Sequence, residues 1–363
     1  MAQDTERRRP LSSWTAPLGA ACLAATLTTL GVTVPADAAD TPEVAVSIKP
    51  IHSLVAAVMG DVGTPHLIVK GAASPHAASL RPSDAAALES ADVVVWVGPE
   101  LERFLVGPIE TLGTNATVLS LGSLDGLTLL PPRVGGTFEA HHHDHDHETE
   151  HEHDHDHDAD HDHEADHDHE AEHEHEAEHD HTVADEHDHG HETVDPHLWL
   201  DPNNAQVMIA AIADTLAEVD PDHADAYATN AAAASARLES VTADVATQVA
   251  PLADTPFIVF HDAYQYFEHR FGLHAAGSIV VSPDTPPGAA RLAEIQARVR
   301  DLNAACVFTE PQFEPRLARV VVEGTPARIG VLDPLGADLE DGPDLYPTLL
   351  RRLAESLSTC LGG

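Results

Sequence analysis

Short apolar runs and longer amphipathic stretches alternate along most of this chain. Val44–Ile48, His66–Val69 and Val93–Val97 are rich in valine and isoleucine, the pattern of buried strands. Between them, Ile51–Met59 and Pro82–Ser90 are alanine-rich and helix-like, and Pro82 or Ser83 opens the second. Strand and helix in alternation predict a parallel sheet covered on both faces. The pattern returns near the C-terminus, with strands at Phe257–Phe260, Ala305–Phe308 and Arg328–Leu332 and helices at Leu292–Asn303 and Tyr346–Leu357. Between the two blocks a helix begins near Asn203, and another runs from Asp220, with Pro221 at its first position, to Val249. Neither Gly nor a further Pro interrupts this second helix until Pro251. At about 30 residues it spans roughly 45 Å, long enough for a strut between lobes. The predicted organisation is α/β: an N-terminal lobe over 40–220, a linking helix over 221–250 and a C-terminal lobe over 251–363.

One segment breaks the alternation. Residues 141–191 hold 20 of the 28 histidines and 22 of the 61 acidic residues, with no Lys or Arg. Such a run buries too little apolar surface to offset its ordering entropy, so an insertion over about 137–193 is expected to be disordered. Its chemical capacity is metal handling, because imidazole suits zinc, copper and nickel. His141, His142, His143, His145, His147, His187, His189 and His191 flank it at the two ends as accessory metal ligands. The run supplies −22 of the formal net charge of −43. The remaining body is still acidic, with no basic cluster to neutralise phosphates, which argues against nucleic acid as a partner.

Arg7, Arg8 and Arg9 precede an apolar stretch from about Ala16 to Val34, followed by an A-x-A site at Ala36 and Ala38. This is the layout of a secretory leader over residues 1–39, cleaved near Ala38 or Ala39, and it directs the chain to the periplasm. Cys306 and Cys360 remain after cleavage, and an even pair in an exported protein points to a disulfide.

Eight histidines lie outside the run. Three of them fall where open α/β sheets place ligands, beyond strand ends or in the loops between lobes. His76 follows the strand ending at Val69, His197 stands where order resumes after the insertion, and His261 directly follows Phe257–Phe260. Asp333 follows the strand ending at Leu332 in the same manner. Each alone reads more readily as a loop or capping residue, and Asp333, before Pro334, equally as a turn initiator. Their occurrence at equivalent chain positions favours a four-coordinate site of three imidazoles and a carboxylate, suited to zinc. Asp262 is a candidate to orient an imidazole from behind, and Glu310 either does the same or caps a turn. His52, His66, His223, His269 and His274 read as helix or surface residues.

Several motifs together resemble the periplasmic zinc-binding proteins of ABC-type zinc uptake systems (ZnuA type). They are Ser47-Ile48-Lys49-Pro50, Leu80-Arg81-Pro82-Ser83-Asp84, Val95-Trp96-Val97-Gly98-Pro99-Glu100, His197-Leu198-Trp199-Leu200, Phe260-His261-Asp262-Ala263-Tyr264 and Leu332-Asp333-Pro334-Leu335-Gly336. The resemblance covers about residues 43–362. It implies two α/β lobes joined by a long rigid helix, with zinc between them on His76, His197 and His261. It also implies a Cys306–Cys360 bond, a His-rich loop near the site, and a protein that hands zinc to a membrane permease. The expected protein is a monomeric receptor and not an enzyme, because no Ser-His-Asp order, phosphate loop or H-E-x-x-H motif appears. Two departures stand out. Many relatives carry Glu just before the first ligand, where this chain has Pro75, which leaves Asp333 or water as fourth ligand. Some relatives carry an accessory histidine where Ser278 follows Gly277 here, so a second site would rely on the loop, with His269 or His274. Manganese-binding cousins resemble harder sites with two carboxylates, and His261 puts this sequence on the zinc side. A receptor for another divalent metal, a periplasmic metal buffer and a zinc hydrolase using an open water are the rival readings.

Overall fold

The computed structural model describes residues 41–133, 194–280, 283 and 285–362. The leader and the His-rich insertion, including the accessory ligands from His141 to His191, lie outside the described residues.

Two four-stranded parallel sheets form the frame. The first contains β1 (Val44–Val46), β2 (His66–Leu67), β3 (Val93–Trp96) and β4 (Thr117–Ser120), in the order β2-β1-β3-β4. The second contains β5 (Phe257–Val259), β6 (Ala275–Ser278), β7 (Cys306–Thr309) and β8 (Arg328–Val331), in the order β6-β5-β7-β8. The two lobes therefore repeat one topology. Every residue of β1, β3, β5 and β7 is buried, as expected for central parallel strands covered on both faces. The six strands predicted from apolar runs are all present. The sequence pattern missed β4 and β6, and also three seven-residue helices, α3 (Val106–Leu112), α6 (Gln265–Phe271) and α8 (Arg316–Val322).

Helices α1 (Lys49–Met59), α4 (Pro202–Val219), α5 (Ala224–Val249) and α9 (Leu345–Leu361) form a shared backing; α2 (Pro82–Ser90) and α7 (Ala289–Asp301) lie on their own lobes. The predicted helix from Asp220 begins instead with a single 3-10 turn, Pro221–His223, before α5. Asp220 ends α4, and its carboxylate accepts from Tyr227 Oη and pairs with His223 Nδ1, each at 2.7 Å. The 26 residues of α5 span about 39 Å. Its buried Leu238, Val241, Val245 and Val249 pack towards α9, and Asn230 donates to the Val58 carbonyl at the end of α1. Helix α9 also packs on α1, so the C-terminal segment returns to the N-terminal lobe. One hydrophobic core runs through this backing, and a smaller one lies beneath α7 and α8.

Polar clips join the lobes. Buried Lys49 donates to the carbonyls of Ala337 and Leu339 and pairs with Asp341 at 3.2 Å. Arg270 on α6 forks onto the fully buried Asp201 with two 2.7 Å bonds. Trp199 donates to the Pro334 carbonyl and Tyr346 donates to the Trp199 carbonyl. Cys306 on β7 and Cys360 on α9 are disulfide-bonded, as expected. Gly330 makes room for this joint, since a side chain there would collide with Phe308 and press on Cys360 Sγ.

Candidate metal centre

Three histidines from three separate places meet between the sheets. Their nearest ring nitrogens all lie within 4.8 Å of one another, and among the described residues this is the one group of three or more such ligands. His261 lies two residues beyond the end of β5. His197 sits at the start of the 3-10 turn Leu198–Leu200, which Trp199 and Asp201 tie to the opposite lobe. His76 lies in the loop after β2 and is half-buried, whereas His197 and His261 are buried.

The geometry points to a cation. His197 Nε2 stands 3.3 Å from Nε2 of both His76 and His261. Two nitrogens bound to one zinc at about 2.05 Å and the tetrahedral angle lie about 3.3 Å apart. Behind the rings, His197 Nδ1 is 2.7 Å from Asp195 Oδ1 and His261 Nδ1 is 2.7 Å from Glu310 Oε1. A neutral imidazole that donates from Nδ1 presents a lone pair at Nε2. The His197–His261 contact then sets two lone pairs face to face, and either a proton or a metal ion must stand between them. The second oxygens of Asp195 and Glu310 are buried without a hydrogen-bond partner among the described residues. Uncompensated buried carboxylate oxygens are costly, and a divalent charge in front of the imidazoles offsets that cost.

Electrostatics separate the three rings. Burial pushes His76 down to about 2, with His197, His261 and Arg103 adding to the effect. Burial also holds His197 well below the ordinary histidine range, helped by His261. At His261 burial acts in the same direction, but the Glu310 charge and hydrogen bond, with Asp262 and Asp195, outweigh it and raise the value. His76 and His197 are thus neutral at physiological pH, and of the three rings His261 takes a proton most readily. Burial lifts Asp195 to about 7 against the pull of the His197 amide and Arg133.

The other predicted site residues fall as follows. The structure does not bring Asp333 into the cluster. Its carboxylate accepts from the backbone of Leu335 and Ala337 and from Gln312 Nε2, so it closes the turn that was the alternative reading. Glu310 lies behind His261, in the orienting role expected of it or a cap. Asp262 does not orient an imidazole; both its oxygens are held by Arg133. His269 and His274 are exposed and join no cluster among the described residues. The sequence reading missed Asp195, whose signal was its place two residues before His197, and Arg133, which had none.

Two cavities reach the cluster. One is narrow and lined by Trp199, Phe313, Pro334 and Leu335, with Phe313 edge-on to the His261 ring at 5.8 Å between centroids. The other, about 350 Å³, adds Arg103, Arg133, Asp195 and Asp262 to the three histidines.

Known proteins are similar to this chain over most of its length. The family described as "Zinc-uptake complex component A periplasmic" matches residues 44–360. A high-affinity zinc uptake system protein ZnuA of Brucella abortus is 57% identical over 318 residues, covering 88% of this chain and 91% of its own. The protein of that description from Paracoccus denitrificans is 41% identical over 325 residues, covering 89% and 93%. A crystal structure of ZnuA superposes with a TM-score of 0.67 at 24% identity, over 89% of this chain and all of that one, a likeness of fold.

Proposed function

The chain belongs to the family of periplasmic A components of zinc-uptake complexes, and from that premise we propose that it captures Zn²⁺ on His76, His197 and His261 and delivers it to a membrane permease. The observation that carries this reading is the convergence of three ring nitrogens at 3.3 Å steps, two of them backed by carboxylates. Three neutral imidazoles suit a borderline cation better than manganese, which prefers oxygen ligands. The carboxylates of Asp195 and Glu310 stand behind them and help to compensate the ion once it binds, without a fourth anionic ligand. With Asp333 occupied in its turn, water completes the coordination.

In this reading the lobes and the α5 strut hold the ligands, and the interlobe clips keep His197 registered against His261. The chain acts as a receptor, as the description of its family as an uptake component supports, and carboxylates beside the histidines each hold another side chain. Glu310 is held on His261 and Asp262 on Arg133. It works as a monomer on the periplasmic side after loss of residues 1–39, and the His-rich insertion assists metal capture. Among the described residues no helix is long and apolar enough to cross a membrane. Calorimetric zinc titration of a chain lacking residues 141–191 tests the reading. One tight site per chain is expected, with the weak sites gone. Loss of tight binding would assign capture to the insertion and make the protein a buffer.

A further inference from the structure

We propose that Arg133 sets the metal preference of this centre by holding Asp262 away from the ion. The inference rests on zinc capture at the three histidines.

Asp262 follows His261 directly and lines the same cavity as the three rings. A carboxylate beside a divalent ion is drawn onto it, and a three-histidine, one-carboxylate set is harder than three histidines and water. The structure shows what competes for it. Arg133 Nε lies 3.0 Å from both Asp262 oxygens, and Nη2 also bonds Oδ1. The other edge of the guanidinium meets both oxygens of Glu268 at 2.9 Å. Glu268 is itself fixed, buried on α6 and accepting from the Ala275 amide at 2.8 Å. Arg133 is therefore pinned by a carboxylate on each side, with only 17% of its side chain exposed. Charge-assisted, forked bonds of this kind are strong and directional, and a lysine cannot reproduce them. With Arg133 in place the Asp262 charge is compensated and both its oxygens are engaged by the guanidinium. With it removed, the metal becomes the cation best able to compensate Asp262.

Arg133 is a positioning residue that touches no metal, so the test reads selectivity and coordination. In the intact mature chain, Arg133→Gln is titrated with the first equivalent of zinc, manganese or cobalt. The ratio of manganese to zinc affinity should rise at least tenfold. The visible band of the cobalt form should shift in position, because a carboxylate then replaces water in the four-coordinate set. Adding Asp262→Asn should return both to wild-type values, and Asp262→Asn alone should change neither. A folded Arg133→Gln with unchanged ratio and spectrum overturns the proposal, as does a shift that survives in the double variant. Should Arg133→Gln fail to fold, Arg133→Lys, which keeps the charge but not the fork, should show a smaller shift in the same direction; no shift there overturns it too. Failure of the underlying reading looks different, since wild-type protein would then show no tetrahedral cobalt band at one equivalent.

Discussion

The two lobes share one strand order but use it differently. In the C-terminal lobe the first strand, β5, leads to His261 two residues beyond its end, and the end of the neighbouring β7 supplies Glu310 behind it. In the N-terminal lobe the matching strand, β1, runs into Ser47, Ile48 and Lys49, and Lys49 is an interlobe clip. That lobe's ligands come from irregular backbone: His76 in a loop and His197 on a 3-10 turn. A strand end in a parallel sheet is thus a place where a ligand can be mounted, not a sign that one is. What distinguishes the ligands is another imidazole nitrogen 3.3 Å from the ring, since His223 also has a carboxylate at its Nδ1 yet joins no cluster among the described residues. Lys49 instead faces two carbonyl groups and Asp341, whereas half-buried His76 meets His197 across 3.3 Å.

The largest effect on this comparison should come from the joint present only in the C-terminal lobe. The disulfide closes a sequence separation of 54. On the chain-entropy model that stabilises by roughly 4 kcal/mol. The Cys306→Ser, Cys360→Ser double variant should lose stability on that scale by denaturant titration while still binding zinc at the histidines. Next, His261→Ala in the chain lacking residues 141–191 should weaken zinc by about a hundredfold, roughly 2.7 kcal/mol. In the same background, His261→Glu should weaken zinc by at least tenfold, about 1.4 kcal/mol, and shift preference towards manganese. Competition titration reads both, and unchanged affinity would remove His261 from the ligand set.

Glu310→Gln should have a smaller effect, about tenfold on zinc affinity at alkaline pH. Its sign against pH can be worked out. Glu310 raises His261, and zinc must displace that proton. In the wild type, affinity is full above the raised value and falls as pH drops through it. In Glu310→Gln the pull is gone, so the fall should begin at lower pH. Equal profiles for the two proteins would contradict the proton placement. Smallest is Lys49→Met, which strands the Ala337 and Leu339 carbonyls. It should cost about 1 kcal/mol of stability and move zinc affinity by less than about threefold in a calorimetric titration.

Much of the frame was legible because buried parallel strands are valine-rich runs. What was missed has physical causes. Edge strand β4, Thr-Val-Leu-Ser, is half open to solvent and carries little apolar signal. Strand β6, Ala-Ala-Gly-Ser, is buried, but its side chains are too small to register as a run. Seven-residue helices such as α6 complete fewer than two turns and fix no periodicity. In the site, the three histidines were legible from their places after strands or at the restart of order. Asp333 has such a place too, yet local hydrogen bonding claims its carboxylate. Asp195 and Arg133 depend on contacts that only the fold creates; Arg133 lies 129 positions from Asp262 in sequence.

The central claim is that one zinc ion sits among His76, His197 and His261. A crystal structure of zinc-loaded protein with anomalous data at the zinc edge tests it most directly. The account predicts a single strong peak bonded to the three Nε2 atoms at about 2.0–2.1 Å, with Asp262 still on Arg133. A principal peak elsewhere, or one lacking any of the three imidazoles, would contradict it.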